Sequence, residues 1–122
     1  MRFTQESSSN VNVIRAYGAH ELRVNETTYH HTVIIAAAAV STLPALARAA
    51  DLGAEHAARI LELQPELVLI GTGERQEFPA AAFGARFLES GIGFEVMDTG
   101  AACRTFNVLA SERRRVVALL ML

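Results

Sequence analysis

The only cysteine of the chain, Cys103, lies in "MDTGAACRTFNV", where a strand ending at Met97 gives way to a turn and then a helix. A thiol in the first turns of a helix sits near the positive end of the macrodipole, which lowers its pKa and favours thiolate chemistry. Nucleophilic catalysis also needs a base beside the sulfur and a group that orients the base. His20, His30, His31 and His56 all lie far upstream, and neither a Ser-His-Asp pattern nor a pair of catalytic carboxylates is legible. Free cysteine is among the most buried residue types and packs as a small apolar side chain. Packing is therefore the preferred reading of Cys103, and no catalytic residue is assigned. An enzyme using Cys103 or Asp98 is the least supported class of function.

Two glycine-bearing turns offer a different chemistry. "GTGERQEF" follows a strand ending at Ile70, and "DTGAACRT" follows the strand ending at Met97. In open α/β sheets ligands settle at the carboxyl ends of the strands, where these turns meet if the two strands are parallel neighbours. Gly71, Thr72, Gly73 and Arg75 from the first turn form a candidate pocket with Asp98, Thr99, Gly100, Cys103, Arg104 and Asn107 from the second. Glycine permits close backbone approach, amides at a helix start receive an anion, and Arg75 with Arg104 adds a guanidinium fork. The bland alternative is that the glycines only make tight strand-to-helix turns. The third glycine of a dinucleotide fingerprint and the G-K-[ST] of a phosphate loop are both missing, so no cofactor is expected. No metal is expected either, because His30 and His31 point to opposite sides of a regular strand. Asp98 reads as a helix N-cap, and Arg113 to Arg115 complement the negative end of the same helix.

The elements that must position these turns follow from periodicity. "VNVIRAY" and "ELRVN", joined by Gly18-Ala19-His20, predict a hairpin, and "TYHHTVIIAAAAV" predicts a third strand. From Asp51 onward helices and strands alternate. Asp51 caps a helix that Pro65 ends, "ELVLIG" is a buried strand, and "FPAAAFGARFLESG" is a helix stopped by Gly91. "IGFEVM" is a strand, the helix from Asp98 or Thr99 carries Ala102, Phe106 and Leu109 on its buried stripe, and "RVVALLML" is the last strand. The order β-β-β-α-β-α-β-α-β implies an α/β layered domain with a mixed sheet. Residues 1–10 read as a flexible terminus and residues 11–122 as one domain, without repeats or linkers.

Composition excludes several classes. The net charge of -2 is incompatible with a broad grip on nucleic acid, although all eleven basic residues are arginine. "VIIAAAAVSTLPALARAA" has the apolar core of a signal peptide but no basic segment directly ahead of it. Ser41, Thr42, Pro44 and Arg48 make it too broken for a membrane span. A buried strand leading into a loop is the expectation, in a cytoplasmic chain whose single cysteine forms no internal disulfide.

"LVLIGTG" followed by "GIGFEVMDTGAACRTFNVLASE", together Leu67 to Glu112, resembles the Mth-type domain family of unknown function, which includes a mitochondrial complex I assembly factor. The resemblance is carried by Gly71, Gly73, Gly91, Glu95, Met97, Thr99, Ala102, Cys103, Thr105, Phe106, Asn107, Leu109 and Glu112. It implies a three-layer α/β fold with a central mixed sheet, no established reaction, and action through protein partners, with respiratory-complex subunits as the candidate partners. Three features depart from the family pattern. Arg113 stands where glycine is frequent, Phe106 where tyrosine is frequent, and "LPALARAA" lacks a loop aromatic. A non-catalytic interaction module is thus the first functional expectation, and a small-molecule or anion-binding domain built on the two turns is the alternative.

Overall fold

The computed structural model describes residues 11–122; the expected flexible terminus, residues 1–10, lies outside the described residues. Its centre is the apolar run "VVALLM", strand β8 (Val116–Met121), buried along its whole length. β8 pairs antiparallel with β4 (Val33–Ala36) on one side and parallel with β6 (Leu67–Thr72) on the other. β5 (Ala39–Thr42) and β7 (Gly93–Met97) complete a mixed sheet of order β5-β4-β8-β6-β7. A run this apolar is what a strand covered on both faces requires.

The period-2 alternation of β8 sorts its side chains between two cores. Val116, Ala118 and Leu120 join Val33, Ile35 and Leu69 on one face, under helix α3 (Thr99–Ser111) and a separate three-stranded sheet. That second sheet is formed by β1 (Ile14–Gly18), β2 (Glu21–Val24) and β3 (Thr27–Tyr29). Val117, Leu119 and Met121 join Ile34, Val68 and Ile70 on the other face, under α1 (Ala54–Leu61) and α2 (Ala81–Glu89). On that face Phe83 packs edge-on against Phe87 and Phe94, with centroids 5.4 and 5.9 Å away. The α/β fold with a mixed sheet, an N-terminal hairpin and three helices is as expected.

Three local expectations are corrected. The long third strand is three strands, because the chain bends at His30-His31 and turns again inside the alanine run. Asn12 makes that second turn by donating from Nδ2 to the carbonyls of Ala36 (2.8 Å) and Ala39 (3.3 Å). Alanine itself carries no turn signal, so the turn is dictated from a residue far away in sequence. Asp51 lies in a short 3-10 turn, and α1 is capped at Gly53, whose N–H donates to Nδ1 of His56 at 3.0 Å. The buried stripe of α3 runs through Thr99, Ala102, Cys103, Phe106 and Ala110, with Leu109 half-buried at its edge. The N-terminal strands form their own sheet over α3, separate from the central one.

The amino end of β6 is tied to β8 by Glu66. Its N–H donates to the carbonyl of Arg115 at 2.8 Å, and its Oε2 accepts the Arg115 N–H at 2.8 Å. Its Oε1 stands 3.3 Å from Nε of Arg114. Acceptance from the Arg115 backbone, aided by both arginine charges, holds the Glu66 carboxyl below its ordinary pKa. Just before this latch α3 ends with Arg113 at φ 65, the left-handed conformation that glycine adopts most easily. The arginine thus occupies the position where glycine is frequent in the resembled family.

Candidate functional site

Strands β6 and β7 are parallel neighbours, yet the chain leaves them toward opposite faces, to α2 from β6 and to α3 from β7. Diverging connections open a crevice at the carboxyl ends of adjacent strands. An open cleft of about 600 Å³ lies there. Gly73, Glu74 and Arg75 line it from the β6–α2 turn, and Asp98, Thr99, Gly100 and Arg104 from the start of α3. The end of β8 contributes Met121 and Leu122, and the β1–β2 turn contributes Tyr17, Gly18, Ala19 and His20.

The floor of this cleft is held by neutral hydrogen bonds. The buried Thr99 donates from Oγ1 to the Met121 carbonyl at 2.6 Å and accepts from the Gly73 N–H at 2.8 Å. Its own N–H returns to the Gly73 carbonyl at 2.8 Å. One side chain therefore joins the ends of β6 and β8 to the first turn of α3. Asp98 caps that helix, accepting on Oδ1 from the Ala101 N–H at 2.9 Å. Thr72 shapes the neighbouring turn, donating to the Arg75 carbonyl at 2.6 Å and accepting from the Glu77 N–H at 2.9 Å.

The structure brings together six of the ten candidate residues, Gly73, Arg75, Asp98, Thr99, Gly100 and Arg104, on the lining. The other four serve behind it. A Cβ on Gly71 would stand 3.0 Å from both the Ala102 Cβ and the Thr99 Cα, so this glycine lets α3 lie close on the sheet. Thr72 supports the turn. Asn107 clamps β1, accepting from the Ile14 N–H and donating to its carbonyl, both at 2.9 Å. Cys103 is 1% exposed and faces the core under α3. Burial pushes its thiol up to about 12, opposed by Arg104 and reinforced by Asp98. The lowering expected from the helix macrodipole is overridden by desolvation.

Tyr17 and His20 escaped sequence reading. Tyr17 accepts a hydrogen bond on its hydroxyl from the Arg104 guanidinium, and its ring meets Gly100, where a Cβ would stand 2.9 Å from the Tyr17 Cε1. The signal available was the turn Gly18-Ala19-His20, with His20 at φ 61, but nothing local says that this turn arches over α3. His30 and His31 are exposed. Among the described residues no group of three or more His, Cys, Asp or Glu could hold a metal ion.

Residues 14–121 match the family described as protein of unknown function (DUF498/DUF598). The chain belongs to that family. A second member of the same fold is the Mth938-like domain of Bordetella pertussis, solved by NMR, with a TM-score of 0.80 and 31% identity over 99% of this chain and 92% of that one. The resemblance carried by Leu67 to Glu112 is thereby borne out. The chain is also similar to the NADH dehydrogenase [ubiquinone] 1 alpha subcomplex assembly factor 3 of Danio rerio. That protein is 44% identical over 62 residues, 51% of this chain and 36% of the relative. A "13 kDa major membrane protein" of Francisella tularensis is 35% identical over 66 residues, 54% of each chain. The chain thus spans about half, or less, of the length of the curated relatives it matches. No helix among the described residues is long and apolar enough to cross a membrane.

Proposed function

We propose that this DUF498/DUF598 protein is a non-catalytic interaction module that assists assembly of a respiratory complex, working in the cytoplasm. The observation that carries this reading is its 44% identity over 62 residues to an NADH dehydrogenase assembly factor. Surface chemistry supports it. Phe78 is 69% exposed and Leu88 61%, large apolar side chains that a partner would cover on binding. Among the described residues β7 is an edge strand of the central sheet, a second feature suited to contact with another chain. The buried Cys103, its thiol pushed up to about 12 by burial, supports a packing role for this side chain. The test is affinity capture of the tagged protein from its native cells followed by mass spectrometry. NADH dehydrogenase subunits enriched with the parent, and lost with Phe78→Glu, are expected; capture of no respiratory subunit above background overturns the reading.

A further inference from the structure

We propose that the cleft at the carboxyl ends of β6, β7 and β8 binds a small organic anion, a carboxylate or phosphate monoester carried on an apolar body. The inference stands on the cleft and does not depend on the assembly reading. Arg75 and Arg104 reach the cleft from different elements, and among the described residues neither takes part in an ion pair. Arg104 spends one of its donors on the neutral hydroxyl of Tyr17, which orients the guanidinium without an ion pair among the described residues. A planar guanidinium held this way matches the paired oxygens of a carboxylate or phosphate.

The remainder of the lining selects the body of the ligand. Met121, Leu122 and the Tyr17 ring supply apolar surface beside the arginines. A bare inorganic anion leaves that surface wet, whereas a ligand with an apolar group covers it. Two carboxylate side chains share the lining. Asp98 is occupied on Oδ1 by the Ala101 N–H, and Glu74 lies exposed on the turn. Anion binding therefore centres on the Arg104–Tyr17 pair, with Arg75 closing from the opposite turn.

The floor is rigid, as a binding site requires. Thr99 bonds to both Gly73 and Met121, so the backbone around the ligand is already in place before binding. A Cβ on Gly100 would stand 2.9 Å from the Tyr17 Cε1, so this glycine lets the ring lie close to the start of α3 at the cleft wall.

The test is titration of the purified protein with phenyl phosphate, phenylacetate, inorganic phosphate and benzyl alcohol, followed by amide NMR. Saturable shifts at Tyr17, Gly73, Gly100 and Leu122 are expected with at least one phenyl anion. Its affinity should exceed that of inorganic phosphate by about tenfold, as burial of part of a ring allows. Arg104→Gln and Arg75→Gln should each weaken it by about tenfold, as loss of a charged hydrogen bond does. Both side chains are exposed, and the two variants are measured independently, so misfolding of one leaves the other to decide. Preference for phenyl phosphate identifies a phosphate monoester as the ligand class, and preference for phenylacetate a carboxylate. Absence of saturable shifts with both, equal binding of benzyl alcohol, or binding unaffected by both substitutions overturns the proposal.

Discussion

The two ends of β6 treat charge in opposite ways. At the amino end, Glu66 engages the Arg115 backbone twice and the Arg114 side chain once, so carboxylate and guanidinium are consumed in fastening β6 to β8. At the carboxyl end, fastening is left to the neutral hydroxyl of Thr99, and Arg75 and Arg104 carry no ion pair among the described residues. Charge that folding does not use is charge available to a ligand. The same strand thus has a closed, structural end and an open end with a hydrogen-bonded floor and two arginines outside any ion pair among the described residues.

The comparison breaks outright if β8 is dispensable. Deleting Val116–Leu122 removes the strand between β4 and β6, and with it the inner seam of both cores. The expected outcome is loss of any cooperative unfolding transition; a soluble truncation that melts cooperatively contradicts it. Thr99→Val tests the floor next. It keeps the shape but orphans the Gly73 N–H and the Met121 carbonyl, which should cost about 2–3 kcal/mol in denaturant unfolding. A cost below about 0.5 kcal/mol, the level of an ordinary surface change, would show that the hydroxyl does not hold the open end together.

How much of this was legible in the sequence follows the range of the interactions. The buried strand at Val116–Met121, the stop at Gly91 and the cap at Asp98 declare themselves within a few residues. The crevice between the two glycine turns was legible too, because parallel strands with diverging helices place their turns together. The Ala36–Ala39 turn was not, since its carbonyls are held by Asn12. Nor was the wall made by Tyr17, whose partner Arg104 lies far along the chain. For Cys103 the tendency of a free thiol to be buried already favoured packing over the helix-position argument, and the side chain is buried in the core under α3.

Cys103→Ser sharpens the division between core and cleft. Burying a hydroxyl where a thiol packed should cost about 1–2 kcal/mol, while the response to phenyl anions stays that of the parent. In the parent, native-state alkylation at neutral pH should be slow; fast reaction would contradict the packing role. The pH dependence has a definite sign. The folded thiol titrates near 12 and an ordinary one near 9.0, so its contribution is complete below about 9.0 and is lost as pH rises toward 12. Cys103→Ala should therefore flatten the alkaline loss of stability, as read by urea unfolding across that range.

The smallest effect concerns the closed end. The folded carboxyl of Glu66 is more acidic than in the unfolded chain, so its contribution is present above the ordinary value of 4.5 and disappears as pH falls below it. Glu66→Gln should lower the melting temperature at neutral pH and make the acid side of the stability profile shallower. An unchanged profile would mean that the latch adds nothing.

The most direct test of the contrast between the two ends is thermal melting of the parent and of the double variant Arg75→Gln/Arg104→Gln, each with and without phenyl phosphate or phenylacetate. Without ligand the two proteins should melt together, within the shift that about 0.5 kcal/mol produces, and only the parent should be raised by a phenyl anion. A double variant that is itself destabilised as Glu66→Gln is, or that gains as much from the ligand as the parent, would contradict the account.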